Sequence, residues 1–245
     1  MGVEKPNVII LKTGSTYPQI QSQFGDFDAW FIEGLSKNLA LTVVDAVNTP
    51  PPSAPDDWAA IVITGSPAMV SDRAPWSETT AQWVRQAVAS GIPLLGVCYG
   101  HQLLAHALGG KADYHPQGRE TGTHTISLLG EAASDPLFSK LPSEFQAHLT
   151  HKQSVLELPE GAILLARSAF EPHQAFRVGD NAWGVQFHPE FSDKVMKAYL
   201  EVQYPELAEE GLDAERLMQG VCPAPEASHL LTLFSEYVTD RFRNR

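Results

Sequence analysis

The string Gly96-Val97-Cys98-Tyr99-Gly100-His101-Gln102 constrains this chain more than any other feature. It follows an apolar run from Ile92 to Val97. It leads into Leu103-Leu104-Ala105-His106-Ala107-Leu108, a helical pattern closed by Gly109-Gly110. A buried strand therefore ends in a sharp turn, a helix starts, and Cys98 occupies the corner. Gly96 and Gly100 remove Cβ atoms that would obstruct so tight a bend. The corner puts backbone N–H groups, Tyr99 N–H among them, and a helix N-terminus beside the thiol, which eases its ionisation. The plainer reading is a small buried cysteine at the end of a hydrophobic strand.

A second string separates the two readings. A nucleophilic thiol needs a base within hydrogen-bond reach, and the base needs a third group to orient it. His188-Pro189-Glu190 supplies both types at the end of a strand-like segment, Ala182 to Phe187. Pro189 fixes one backbone dihedral between them. The expected triad is Cys98, His188 and Glu190. The other histidines (His106, His115, His124, His148, His173 and His229) show no metal-ligand spacing, so no metal and no cofactor are expected. Cys222, beside Pro223, has no evident base.

Together these strings resemble the class I, triad-type glutamine amidotransferases over roughly the first 200 residues. Gly96, Cys98, Gly100 and Gln102 meet the family's G-x-C-x-G-x-Q motif, and His188-Pro189-Glu190 meets its H-P-E motif. The stand-alone proteins similar to the amidotransferase part of GMP synthetase share both. The resemblance implies a flavodoxin-like α/β fold. It implies an oxyanion hole from the backbone N–H groups of Gly65 and Tyr99, although Ser66 replaces a glycine usual before Pro67. It gives Gln102 a share in holding the substrate's amino-acid end. In Gly118-Arg119-Glu120-Thr121-Gly122, Arg119 or Glu120 meets the substrate's carboxylate or ammonium, or braces the loop. Thr150-His151-Lys152-Gln153-Ser154-Val155 matches a pocket-lining S-H-x-D-x-V string, with Thr150 for Ser and Gln153 for the acid.

The pattern along the chain agrees with an α/β fold. Near-continuous apolar strands at Asn7 to Leu11, Leu41 to Val47, Trp58 to Thr64 and Ile92 to Val97 alternate with predicted helices at Phe27 to Leu39 and Trp76 to Ser90. That alternation predicts a mostly parallel central sheet flanked by helices. Active sites in such sheets lie at the carboxyl ends of strands, where Gly65, Cys98 and His188 fall. Short segments at His124 to Leu129, Gln146 to Thr150, Ala162 to Ser168 and Gln174 to Val178 predict antiparallel additions at one edge. A helix is expected over Phe191 to Val202. Residues 1–203 are expected to form the catalytic domain. Residues 204–245 form an acidic helical extension packed on it, broken near Pro223 and Pro225 and ending in an amphipathic helix from His229 to Phe242.

Length and charge narrow the function classes. A net charge of −12 over 245 residues argues against nucleic acid or an anionic membrane as the main partner. No apolar stretch approaches bilayer length, Met1-Gly2-Val3 opens no signal sequence, and two free cysteines suit a reducing cytoplasm. The expected reaction is hydrolysis of the glutamine side-chain amide through a γ-glutamyl thioester. Ammonia would pass to a synthetase or acceptor subunit, because no ATP-binding domain accompanies the site. Hydrolysis of other γ-glutamyl compounds uses the same triad and remains open here, as does self-association. An α/β-hydrolase with a cysteine elbow fits less well, since its acid precedes a late histidine.

Overall fold

The computed structural model describes residues 4–52 and 54–245, so the expectation for Met1-Gly2-Val3 lies outside the described residues. In chain order the elements are β1 (Asn7–Lys12), α1 (Pro18–Phe24), α2 (Phe27–Gly34), β2 (Ala40–Asp45), β3 (Ala60–Ile63), α3 (Pro75–Ala89), β4 (Leu94–Val97) and α4 (Tyr99–Ala107). Then come β5 (Lys111–Tyr114), β6 (Glu120–Leu128), β7 (Glu144–His151), β8 (Gln153–Glu157), β9 (Ile163–Arg167), β10 (Ala175–Val178) and β11 (Ala182–Val185). Helices α5 (Asp193–Val202), α6 (Tyr204–Glu209), α7 (Ala214–Gln219) and α8 (Pro225–Arg243) complete the chain.

One sheet runs β2-β1-β3-β4-β11-β10-β9-β6-β7. Its first five strands are parallel and the last four antiparallel. The central strands are apolar throughout because both faces are covered. Ile9 and Leu11 pack with Val84, Leu103 and Leu104 from α3 and α4. Val8 and Ile10 point the other way, into a cluster with Phe31 of α2 and Leu230, Leu231 and Phe234 of α8.

Helix α8 therefore packs its apolar side against this sheet face. Trp183 of β11 meets Phe234 and Tyr237 edge to face, with centroids 6.2 and 5.1 Å apart. A Cβ on Gly34 would stand 2.5 Å from Leu231 Cδ1, so glycine there lets α2 approach α8 without displacing the Leu231 side chain. Each fully buried Leu or Phe contributes about 1.5–3 kcal/mol, which makes α8 part of the core.

Several boundaries differ from the sequence expectation. The helix expected to reach Leu39 stops at Gly34, and the chain turns towards β2. Asp26 starts that helix by accepting from Phe27 N at 2.8 Å, and α1 stands before it unforeseen. A two-stranded sheet of β5 and β8 was also unforeseen. Pro225 opens α8 at its first turn instead of breaking it, since a proline there sacrifices no helical hydrogen bond.

Candidate active site

Strand register explains how distant residues meet. On β4 and β11, which run parallel side by side, Val97 lies opposite Val185 and Gly96 opposite Gly184. Strand β3 flanks β4 on its other side, with Ile63 opposite Gly96. Gly65, Cys98 and His188 therefore emerge from three adjacent strand ends.

Cys98 has φ 52° and ψ −101°, a positive-φ conformation that is costly for a residue with a side chain. The bend holds because the chain is locked on both sides. Cys98 N donates to Val185 O at 2.9 Å. A Cβ at Gly96 would collide with Gly100 O, and one at Gly100 would lie 2.5 Å from Ile63 O. The thiol is 7% exposed, and its Sγ lies 3.8 Å from Thr150 O. The N–H groups of Gly65 and Tyr99 have no acceptor among the described residues and are available to a ligand. Gly65 must also lack a side chain: a Cβ there would stand 2.9 Å from His188 Cε1.

His188 is buried and held on three sides. Its Nδ1–H donates to Glu190 Oε1 at 2.9 Å, and the Glu190 side chain is fully buried. Phe191 stacks on the imidazole at 4.1 Å between centroids, and Phe27 lies nearly parallel at 6.2 Å. Burial alone would push the imidazole pKa down. Glu190 and Cys98 outweigh it and push the value up to about 10. Neither phenylalanine carried a signal in the sequence, although Phe191 directly follows the Glu190 that orients the ring.

A cleft of about 410 Å³ opens at this point. Cys98, His188, Tyr99, Gln102, Thr150, His151 and Arg119 line it. Gln102 Nε2 donates to Gln153 O at 2.7 Å and to Gln186 Oε1 at 3.0 Å, so its amide nitrogen is committed to the protein. Glu120 does not line the cleft. It is buried, with Oε1 bound to His151 Nε2 at 2.7 Å and to Gln174 Nε2 at 2.8 Å, while Oε2 accepts from Ser168 at 2.6 Å. These bonds make it a brace behind His151. Arg119 reaches the cleft, but its Nε and Nη2 donate to Glu210 at 3.1 and 2.9 Å, and Nη2 also meets Glu206.

The walls also include Tyr17, Tyr199 and Gln203, which the sequence did not single out. Tyr17 and Tyr199 meet edge to face at 5.6 Å, and Tyr199 OH shares a 2.5 Å hydrogen bond with Thr16. Gln203 donates to Tyr17 OH and Thr150 Oγ1, both at 3.3 Å. The side chain of Gln153, which replaces the acid of the motif, reaches Ser71 Oγ at 2.5 Å.

An α/β sheet with a cysteine elbow beside a His–Glu pair defines a class of enzyme, and comparison with known proteins gives the family. Residues 25–204 match the family model described as glutamine amidotransferase class-I, and the chain belongs to that family. It is 32% identical over 200 residues to a glutamine-hydrolysing GMP synthase of Thermosipho africanus, covering 79% of this chain and 35% of that protein. It is 39% identical over 142 residues to the enzyme of the same name from Thermomicrobium roseum, covering 55% of this chain and 25% of that one. The chain thus spans about a third or less of the curated relatives it matches. A solved glutamine amidotransferase from Thermotoga maritima shares the fold at TM-score 0.75 and 20% identity, covering 97% of this chain and 99% of that one. Another, from Methylobacillus flagellatus, gives 0.70 and 23%, covering 99% and 95%. Among the described residues no helix is long and apolar enough to cross a membrane.

Proposed function

We propose that this chain hydrolyses the side-chain amide of glutamine through a γ-glutamyl thioester on Cys98. The observation that carries the reading is the in-register pairing of β4 with β11, which delivers the strained Cys98 beside a His188 already held by Glu190. His188 takes the thiol proton, and the thiolate attacks the γ-carbonyl carbon. The resulting oxyanion is met by the free N–H groups of Gly65 and Tyr99, each donor worth on the order of 3 kcal/mol. His188 then returns the proton to the nitrogen, the C–N bond breaks, and ammonia leaves. Water, deprotonated by His188, attacks the thioester to release glutamate and restore the thiol.

Ammonia needs a separate acceptor, and a synthetase subunit is the proposed partner. The matching relatives are named glutamine-hydrolysing GMP synthases, and the match covers 79% of this chain but only 35% of their length. A reducing cytoplasm suits the chemistry, because an oxidised Cys98 cannot attack. Residues 1–203 form the catalytic unit in this reading, and residues 204–245 complete it.

A second reading keeps the thioester and changes the leaving group. The cleft, at about 410 Å³, has more room than a five-carbon amino acid fills, which favours γ-glutamyl amides with a larger amine. One assay separates the two. Purified protein is given L-glutamine and a panel of γ-glutamyl peptides, and glutamate is measured. Release from glutamine, abolished in Cys98→Ala together with labelling by a glutamine-like chloroketone, is the expected result. Release from peptides alone selects the second reading, and full turnover by Cys98→Ala rejects both.

A further inference from the structure

A wall of aromatic rings runs from His188 into the cleft, and the thiol chemistry uses only its first member. Phe191 stacks on the His188 imidazole at 4.1 Å between centroids, Tyr199 stacks on Phe191 at 5.0 Å, and Tyr17 meets Tyr199 edge to face at 5.6 Å. Phe27 lies nearly parallel to the same imidazole at 6.2 Å. Tyr17, Pro18, Phe27 and Tyr199 all line the cleft, with no Asp, Glu, Lys or Arg among them. Phe27 and Tyr199 are buried, whereas Tyr17 is 36% exposed and offers an uncovered ring. A second path reaches Tyr17 from the thiol. Cys98 Sγ lies 3.8 Å from Thr150 O, and Gln203 Nε2 bridges Thr150 Oγ1 and Tyr17 OH at 3.3 Å each. Gln203 Oε1 is buried and has no partner among the described residues. Tyr17 and Pro18 precede the residues 25–204 that match the family model.

We propose that this wall is a leaving-amine subsite, and that the donors it favours are γ-glutamyl amides whose amine carries an aromatic ring. The inference deepens the γ-glutamyl reading of the cleft and rests on it. The tetrahedral intermediate on Cys98 has four substituents: sulfur, the oxyanion, the leaving nitrogen and the carbon chain. The N–H groups of Gly65 and Tyr99 take the oxygen. His188 gives its proton to the nitrogen, so whatever the nitrogen carries starts at the His188 end of the wall. The carbon chain, with its amino-acid end, diverges from it. Ammonia as the leaving group would leave the Tyr17 ring in water. An aromatic amine covers that ring, in the edge-to-face or offset geometry that Tyr17 and Tyr199 already adopt with each other. Burial, with the negative charges of Glu190 and Cys98, pushes the Tyr199 hydroxyl up, which keeps that ring neutral beside an apolar group. Gln203 Oε1 is an uncommitted acceptor beside Tyr17, and a substituted amine still has an N–H to give it. A carboxylate on the amine finds no cation along these four residues and gains nothing from them.

The test measures glutamate release by the full chain from L-glutamine, γ-L-glutamylmethylamide, γ-L-glutamylbenzylamide and γ-L-glutamylglycine. The benzylamide is expected to exceed the methylamide and γ-L-glutamylglycine in kcat/KM on the order of tenfold. Intrinsic reactivity is the same for every variant, so a change in the benzylamide-to-methylamide ratio reports on the wall. Tyr17→Ala should lower that ratio about fivefold. Tyr17→Phe keeps the ring, loses only the bond to Gln203, and should hold the ratio. Tyr17 is exposed enough for its ring to be removed without opening the core. Tyr204→Ala removes an exposed tyrosine that does not line the cleft and should leave the ratio intact. A parent without the preference overturns the inference. So does a ratio that survives Tyr17→Ala, or one that falls as far in Tyr17→Phe. Turnover of glutamine alone also overturns it and leaves the γ-glutamyl reading standing. That reading fails on different evidence, the absence of glutamate from every donor and of Cys98 labelling.

Discussion

Two buried histidine–carboxylate pairs flank the cleft, and they differ in one respect that decides their chemistry. His188 spends Nδ1 on Glu190 at 2.9 Å, which leaves Nε2 for the thiol. His151 spends both nitrogens on the protein: Nε2 on Glu120 at 2.7 Å and Nδ1 on Gln153 O at 2.8 Å. A ring with no free nitrogen cannot carry a proton between substrate and thiol without first breaking a buried bond. The surroundings follow the same division. His188 lies between two aromatic faces that fix its plane and leave its edge open. His151 belongs to a polar web in which Glu120 also holds Ser168 and Gln174. A histidine near a cysteine is thus a base or a strut according to how many of its nitrogens are spoken for.

Exchanging each ring for one that cannot transfer a proton gives the largest contrast. His188→Asn should lower kcat/KM on the order of 10⁴-fold or more, as losing one member of a unit costs nearly as much as losing all. His151→Asn should leave kcat near its starting value and raise KM, because His151 lines the cleft and has no part in the proton transfer proposed above. Steady-state kinetics on glutamine check both. A fall in kcat as deep for His151→Asn as for His188→Asn would break the comparison and make His151 a second base.

The carboxylates sharpen it at smaller scale. Glu190→Gln removes the charge that orients and stabilises the imidazolium and should cost about 10²- to 10⁴-fold in kcat. Glu120→Gln leaves the triad whole but breaks a buried ion pair with three satisfied contacts, and should cost about 3–5 kcal/mol of stability. Denaturant unfolding paired with kinetics at a temperature where both variants are folded separates the outcomes. If Glu120→Gln loses kcat without losing stability, Glu120 is not a strut.

The sequence made one half of this contrast visible and hid the other. Cys98, His188 and Glu190 were legible because each follows an apolar strand, and strand ends in an α/β sheet converge by rule. The core of the sheet was legible for the same reason, in the unbroken runs of β1, β3 and β4. What stayed hidden depends on side chains that meet across long separations. His151 lies 31 residues from Glu120, and Arg119 lies 91 from Glu210. No local period marks such pairs, so Glu120 read equally well as a substrate contact or as a brace. Helix α1 was missed because its seven residues, Pro18–Phe24, bury Ile20 alone and show no apolar stripe. The β5–β8 sheet was missed because four- and five-residue strands with mixed burial carry too little alternation.

The smallest expected effect concerns protons. His188 titrates at about 10 in the folded chain against 6.5 ordinarily, so between those values the folded state keeps a proton that the unfolded chain has lost. Its contribution to stability is fully present below about pH 6.5 and falls away as pH rises towards 10. His148 works in the opposite sense. Burial pushes it down to about 4, so its contribution is present above pH 6.5 and is lost as pH falls towards 4. Cys98→Ala removes one of the two groups that raise His188 and leaves Glu190 in place. The alkaline decline in stability should therefore become shallower, while the acid limb, to which both His148 and the buried His101, pushed down to about 3, contribute, stays put. His151 is also raised, with Glu120 as the leading cause of the rise and Cys98 only a lesser charge at a distance. In ring-proton NMR titrations, Cys98→Ala should shift His188 clearly to lower pH and move His151 much less. Equal shifts for the two rings would mean that Cys98 touches both alike, and the distinction between base and strut would have to be drawn without the thiol.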